Sequence, residues 1–120
     1  MSTSTLPFTW DDVKKEQIND LIKRQAIHGD SMTICRMEMQ VGAVVGSHSH
    51  HNEQISTVQS GSVKFTVDGQ DVVMKAGDVL QIHSNRVHSA QALEESIVIE
   101  TFAPRRDDWI RGDNSYMQKK

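Results

Sequence analysis

From Leu21 to Phe102 the sequence never settles into a helical period. Short runs rich in Val, Ile, Thr and Phe follow one another, each closed by Gly, Asp, Asn or Ser. That pattern predicts strands near 21–28, 32–40, 43–49, 54–60, 62–68, 70–75, 79–83, 87–93 and 96–102, and with them an all-β, antiparallel barrel or sandwich. His28-Gly29-Asp30-Ser31 marks one turn, and Asp68-Gly69 is a two-residue hairpin signal between two β-rich runs. Thr9 followed by Asp12 reads as a cap opening a short helix from Trp10 to about Gln17. The expected organisation is therefore an N-terminal helical arm (1–20), one β-domain (21–112) and a polar tail (113–120).

At 120 residues there is room for one compact core. A net charge of -3 argues against nucleic acid or an anionic membrane as partner, which leaves a small molecule. No apolar run has the length of a membrane span, and the first ten residues lack the pattern of a signal peptide, so a cytoplasmic location is expected. Cys35 is the single cysteine. It cannot form an internal disulfide, and its apolar neighbours read as core.

The chemistry is concentrated in Gly42 to Gly61, which contains His48, His50, His51, Glu53 and Gln54. Alternate residues of a strand share a face, so His48 and His50 can point together into the interior and chelate a metal ion. After a turn at His51-Asn52, either Glu53 or Gln54 would face them, but not both. His88, after the turn Ser84-Asn85-Arg86-Val87, is placed to add a fourth ligand from another strand. His28, His51 and His83 read as turn or surface residues.

These positions resemble the cupin superfamily. Gly42, His48, His50, Gln54 and Gly61 keep the spacing of its first motif, and Gly77 and His88 that of the second. His83, Asn85 and Ala92 stand where Pro, Gly and Asn are usual. Asn85 can still make the turn, because Asn tolerates positive φ. The resemblance implies a single-domain jelly-roll-like barrel holding one divalent transition metal ion (zinc, nickel, iron or manganese) on His48, His50, Gln54 and His88, with Glu53 on the outer face. Gln in place of the usual Glu leaves the double positive charge uncompensated. Such a site attracts anionic ligands and is less suited to oxygen activation.

In Ser96 to Phe102, Val98, Glu100 and Phe102 share a face. Glu100 is either a desolvated acid inside the fold or a surface group paired with a lysine. Arg105-Arg106-Asp107-Asp108-Trp109 alone would suggest surface ion pairs and packing. Together with Trp10, His48, His50, Gln54, His88, Phe102 and Pro104, however, Arg106, Asp108 and Trp109 resemble the small bacterial pectin-degradation (KdgF-like) cupins over residues 8 to 112. This chain has Glu100 where those have Asp. The resemblance implies an isomerase-type activity that opens and ketonises 4,5-unsaturated monouronates. It also implies that Phe102 and Arg106 bind substrate, Arg106 by holding the carboxylate, and that Glu100 moves a proton. A dioxygenase on a small organic acid and a non-catalytic metal or sugar-acid binding module are the alternatives. A homodimer is expected through an outward apolar set of Ile55 and Thr57, with Ile18 and Ile22.

Overall fold

The structure, a computed structural model, describes residues 6–113. Ten strands follow in chain order: β1 (Glu16–Asn19), β2 (Ile22–His28), β3 (Thr33–Met39), β4 (Val44–His48), β5 (Glu53–Ser60), β6 (Ser62–Val67), β7 (Gln70–Lys75), β8 (Val79–Ile82), β9 (His88–Ala92) and β10 (Ser96–Ala103). A short helix α1 (Asp107–Ile110) closes the described chain. Nine of these strands lie where the β-rich runs predict them. Among the described residues no helix is long and apolar enough to cross a membrane. The predicted tail at 113–120 lies outside the described residues except for Asp113.

The strands form two antiparallel sheets, of order β1-β2-β3-β10-β5-β8 and β4-β9-β6-β7. This corrects the expected barrel: the sheets are not closed on one another. Each keeps its own edges, because the chain passes between sheets through turns rather than through shared ladders. The turn at Gly61 shows why. Its φ is +87°, and a Cβ there would come within 2.2 Å of Ser96 Oγ and 2.4 Å of the Glu95 carbonyl. Only glycine lets β5 leave one sheet and β6 enter the other so close to the start of β10. Asp68 (φ 50°) and Gly69 (φ 82°) turn β6 into β7 as the hairpin signal predicts, and Asn85 takes φ 64° before His88.

The predicted N-terminal helix is a second correction. Only a single 3-10 turn forms, at Trp10–Asp12, with the Asp12 carboxylate accepting the Thr9 N–H at 3.1 Å. The buried Gln25 amide donates to the Trp10 and Val13 carbonyls at 2.6 and 3.0 Å, tying this segment to β2. The chain then extends and pairs as β1 against β2, Glu16 opposite Arg24.

Between the sheets lie Ile22, Cys35, Met37, Met39, Val58, Phe65, Val98 and Phe102, the alternate residues of their strands. Ile18 and Ile22 belong to this core at 7% and 0% exposure, not to the outer face. Ile55 and Val79 are exposed on the outside of the larger sheet, beside the half-buried Ile34, Ile97, Ile99 and Thr57.

Candidate metal centre

Three imidazoles meet at one end of the sandwich. His48 ends β4 and sits opposite His88 at the start of β9; a register irregularity after Val45 delivers it there. His50 lies two residues on, beyond the end of the strand. The ring centroids are 4.2 Å apart for His48 and His88, 4.9 Å for His50 and His88, and 5.4 Å for His48 and His50. One ligand nitrogen from each lies within 4.8 Å of the others.

The orientation of these rings is set by the backbone. Each Nδ1 faces a carbonyl oxygen: that of Gly46 for His48 at 2.7 Å, of Asn52 for His50 at 3.0 Å, and of Arg86 for His88 at 2.8 Å. A carbonyl only accepts, so Nδ1 carries the proton in all three and Nε2 is left with its lone pair. The Nε2 atoms of His50 and His88 are buried without a hydrogen-bond partner. Burial, the largest influence, lowers the pKa of His48 to about 3 and of His50 to about 4, and also lowers that of His88. Neutral imidazoles whose ligand nitrogens lie this close together are the donor set a divalent transition metal requires.

Gln54 is inward and 4% exposed, while its neighbour Glu53 is outside, accepting from Gln81 Nε2 at 2.9 Å. Gln54 Nε2 donates to Glu100 Oε2 at 2.6 Å and to Ser56 Oγ at 2.9 Å. With the amide nitrogen committed to Glu100, the oxygen is the end turned from it. The Gln54 side chain is one of the neighbours that raise the His50 pKa, as an acceptor oxygen does.

Glu100 resolves to the inward alternative. It is 7% exposed and lines the cavity in front of His48 and His88, together with Gln54, Phe102, Arg106 and Trp109. Burial raises its pKa, against the lowering effects of the Ser56 hydrogen bond and the Arg106 charge. The cavity is small, about 30 Å³.

Arg106 is 1% exposed. Its Nε and a terminal nitrogen donate to the two oxygens of Asp108 at 3.0 and 2.9 Å, and its Cζ lies 4.6 Å from the Phe102 ring and 4.2 Å from the Trp109 ring. The surface reading of this segment fits Arg105 and Asp107, which pair in the open at 2.8 Å. Arg24, buried on β2, also lies over Trp109, at 4.0 Å.

Sequence reasoning missed Asn52, Ser56 and Arg24. Asn52 and Ser56 lay inside the histidine segment, but nothing in a short polar residue reveals a partner some fifty positions away. His83 is exposed, 3.9 Å from Glu53, and stands outside the site; His51 and His28 are likewise exposed.

Residues 35–101 match the family model for the cupin domain. The pectin degradation protein KdgF of Dickeya dadantii is 34% identical over 107 residues, covering 86% of this chain and 96% of that protein. An oxalate-binding protein of Thermotoga maritima is 35% identical over 72 residues, 59% of this chain and 60% of that one. Among solved structures, KdgF from Halomonas sp. superposes with a TM-score of 0.78 at 29% identity, covering 82% of this chain and 94% of that one. The matched strands, the three-histidine end of the sandwich and the length of the KdgF alignment agree, and the chain belongs to the cupin family, among its small KdgF-like members.

Proposed function

We propose that this chain is a metal-dependent enzyme that opens and ketonises a 4,5-unsaturated monouronate or a closely similar acidic sugar. The observation that carries the reading is a cluster of three imidazoles, His48, His50 and His88, two of which (His48 and His88) line one cavity with a buried carboxyl at Glu100 and a buried guanidinium at Arg106. Its similarity to a pectin degradation protein supplies the substrate class.

His48, His50 and His88 would hold the ion through Nε2, and Gln54 through its amide oxygen. The ion would polarise substrate oxygens in this neutral ligand set. The sugar would lie against the cavity that Glu100, Phe102 and Arg106 line. There Arg106 takes the C6 carboxylate. Asp108 holds the Nε edge of the planar Arg106 fork, which fixes how it is aimed. Phe102 and Trp109 keep that fork flat and exclude water behind it.

Glu100 takes the proton of the anomeric hydroxyl. The bond between C1 and the ring oxygen breaks, its electron pair stays on that oxygen as the enolate, and C1 becomes the aldehyde. Delivery of a proton to C4 then gives the 5-keto acid, so atoms and charge balance as an isomerisation. Burial raises the Glu100 pKa, which makes its carboxylate a stronger base for the first transfer. The chain acts as a homodimer in this reading.

The test is loss of the conjugated ultraviolet absorbance of an unsaturated monouronate. Metal-loaded protein should accelerate it, Arg106→Ala should chiefly raise KM, and Glu100→Gln should lower kcat by roughly a hundred- to ten-thousand-fold. Decay at the spontaneous rate, or full turnover by Glu100→Gln, rejects the reading. The similarity to an oxalate-binding protein favours one second reading, a module that binds a small dicarboxylate without turnover. Tight oxalate binding with no uronate turnover would select it.

A further inference from the structure

Ser56 lies on β5, fully buried at 0% exposure, directly opposite Glu100 in the β5–β10 ladder and two residues from Gln54 on the same face. Its hydroxyl donates to Glu100 Oε2 at 2.7 Å and accepts the Gln54 N–H at 2.9 Å, while Gln54 donates to the same Oε2 at 2.6 Å. Three side chains thus close a triangle behind the site. We infer that Ser56 is a positioning residue that sets both the oxygen through which Glu100 exchanges its proton and the end of the Gln54 amide that faces the histidines.

The first half follows from the donors. Two hydrogen bonds on Oε2 hold the negative charge of the carboxylate there and direct proton traffic to Oε1. The second half follows from polarity. With its hydrogen given to Glu100, the Ser56 hydroxyl turns a lone pair to Gln54, so Gln54 must answer with N–H. A flipped amide would set its oxygen against both the carboxylate and the hydroxyl oxygen. The side-chain oxygen of Gln54 is thereby presented toward His50. An apolar residue at 56 weakens this sorting, since only one of the two acceptors, Glu100, is then left to hold the amide.

This inference rests on the proposed function for its catalytic half only, and the experiment separates the two. Ser56→Ala, Ser56→Thr and Ser56→Cys are made in the full chain. Zinc affinity is measured by competition with a chromophoric chelator, and kcat and KM on an unsaturated monouronate at saturating zinc. Groups that orient metal ligands typically contribute 10- to 100-fold to affinity or activity. Ser56→Ala should therefore bind zinc 10- to 100-fold more weakly and lose kcat by a similar factor, with KM within about twofold because Arg106 is untouched. Ser56→Thr, which keeps the hydroxyl, should recover most of both. Ser56→Cys, close in shape but a weak donor, should fall between them, and it carries the test if the alanine variant does not fold. Unchanged zinc affinity and kcat in a folded Ser56→Ala or Ser56→Cys overturns the inference, as does equal loss in the threonine variant. If the wild type shows no turnover of the uronate while Ser56→Ala still loses zinc affinity, the substrate reading fails and the positioning of Gln54 stands.

Discussion

The side-chain amide of Asn52 donates to the carbonyl of Pro104 at 2.6 Å, across fifty-two residues of sequence. The same residue's backbone carbonyl faces His50 Nδ1 at 3.0 Å. One buried turn residue thus connects the histidine loop with the segment that carries Arg106. Asn52→Ala should cost about 0.5–1.5 kcal/mol of stability, as the part-buried hydrogen bond to the Pro104 carbonyl is lost. It should also raise KM for an acidic sugar, because Arg106 is no longer held at a fixed distance from His50. Denaturant melts together with steady-state kinetics check this; unchanged values for both would show that the connection is incidental.

The metal prediction concerns the converging Nε2 atoms. Purified protein should take up about one transition metal ion per chain, and chelator or His48→Ala should remove it. Because the ligands come from the end of β4, the loop after it and the start of β9, binding should stabilise the folded state and raise Tm as free metal increases. Differential scanning fluorimetry with and without zinc measures this. A protein that cannot be loaded, with Tm independent of zinc, would sink the metal reading.

How far these features were legible in the sequence depends on whether their cause is local. Alternation placed Val98, Glu100 and Phe102 on one face and Glu53 opposite Gln54, because a strand has only two faces. The Asp68-Gly69 hairpin and the Asn85 turn were legible for the same reason, since φ preference belongs to the residue itself. Two adjacent pairs show the limit. Arg105–Asp107 and Arg106–Asp108 have identical spacing and chemistry, yet the first is exposed and the second closes around a 1% exposed guanidinium. What separates them is packing against Phe102 and Trp109, which spacing does not encode; the family resemblance singled out Arg106. The failed helix at Trp10 has a similar origin. Its cap formed, but the chain then extends to pair with β2, whose Gln25 amide reaches the Trp10 and Val13 carbonyls, a tertiary contact that the local sequence does not show.

Gly61→Ala tests the close approach of the sheets. A Cβ at 2.2–2.8 Å from Ser96 and Glu95 must displace backbone, and φ +87° strains any other residue as well. The variant should lose roughly 1–3 kcal/mol or more, measured by denaturant unfolding. Gly69→Ala has positive φ but open space around it and should cost less. Equal losses would show that the conformation, not the contact, matters.

A homodimer is the expected assembly. The outer face of the larger sheet presents Ile55 and Val79, 43% and 64% exposed, next to Ile34, Ile97 and Ile99. An antiparallel sheet in contact with water normally shows polar residues on that face. Light scattering at micromolar concentration should give twice the chain mass, and Ile55→Lys should shift it toward the monomer. A monomeric wild type would overturn the expectation.

The last prediction follows the sign of one pKa shift. Burial raises the Asp108 pKa, but the Arg106 hydrogen bond and charge and the Trp109 N–H outweigh it, so the folded value lies below the ordinary 3.8. A carboxyl depressed on folding contributes stability that is fully present above its unfolded pKa and is lost as pH falls through the folded one. The stability gap between wild type and Asp108→Asn should therefore be constant at neutral pH and close progressively below about pH 4. Urea unfolding of both proteins from pH 7 down to 3 measures it. Asp108 also holds the Nε edge of Arg106, so Asp108→Asn should raise KM for an acidic sugar more than it lowers kcat. A gap that grows with acidity would mean that Asp108 is protonated more readily in the folded protein, and the pairing with Arg106 could not then be what fixes the clamp.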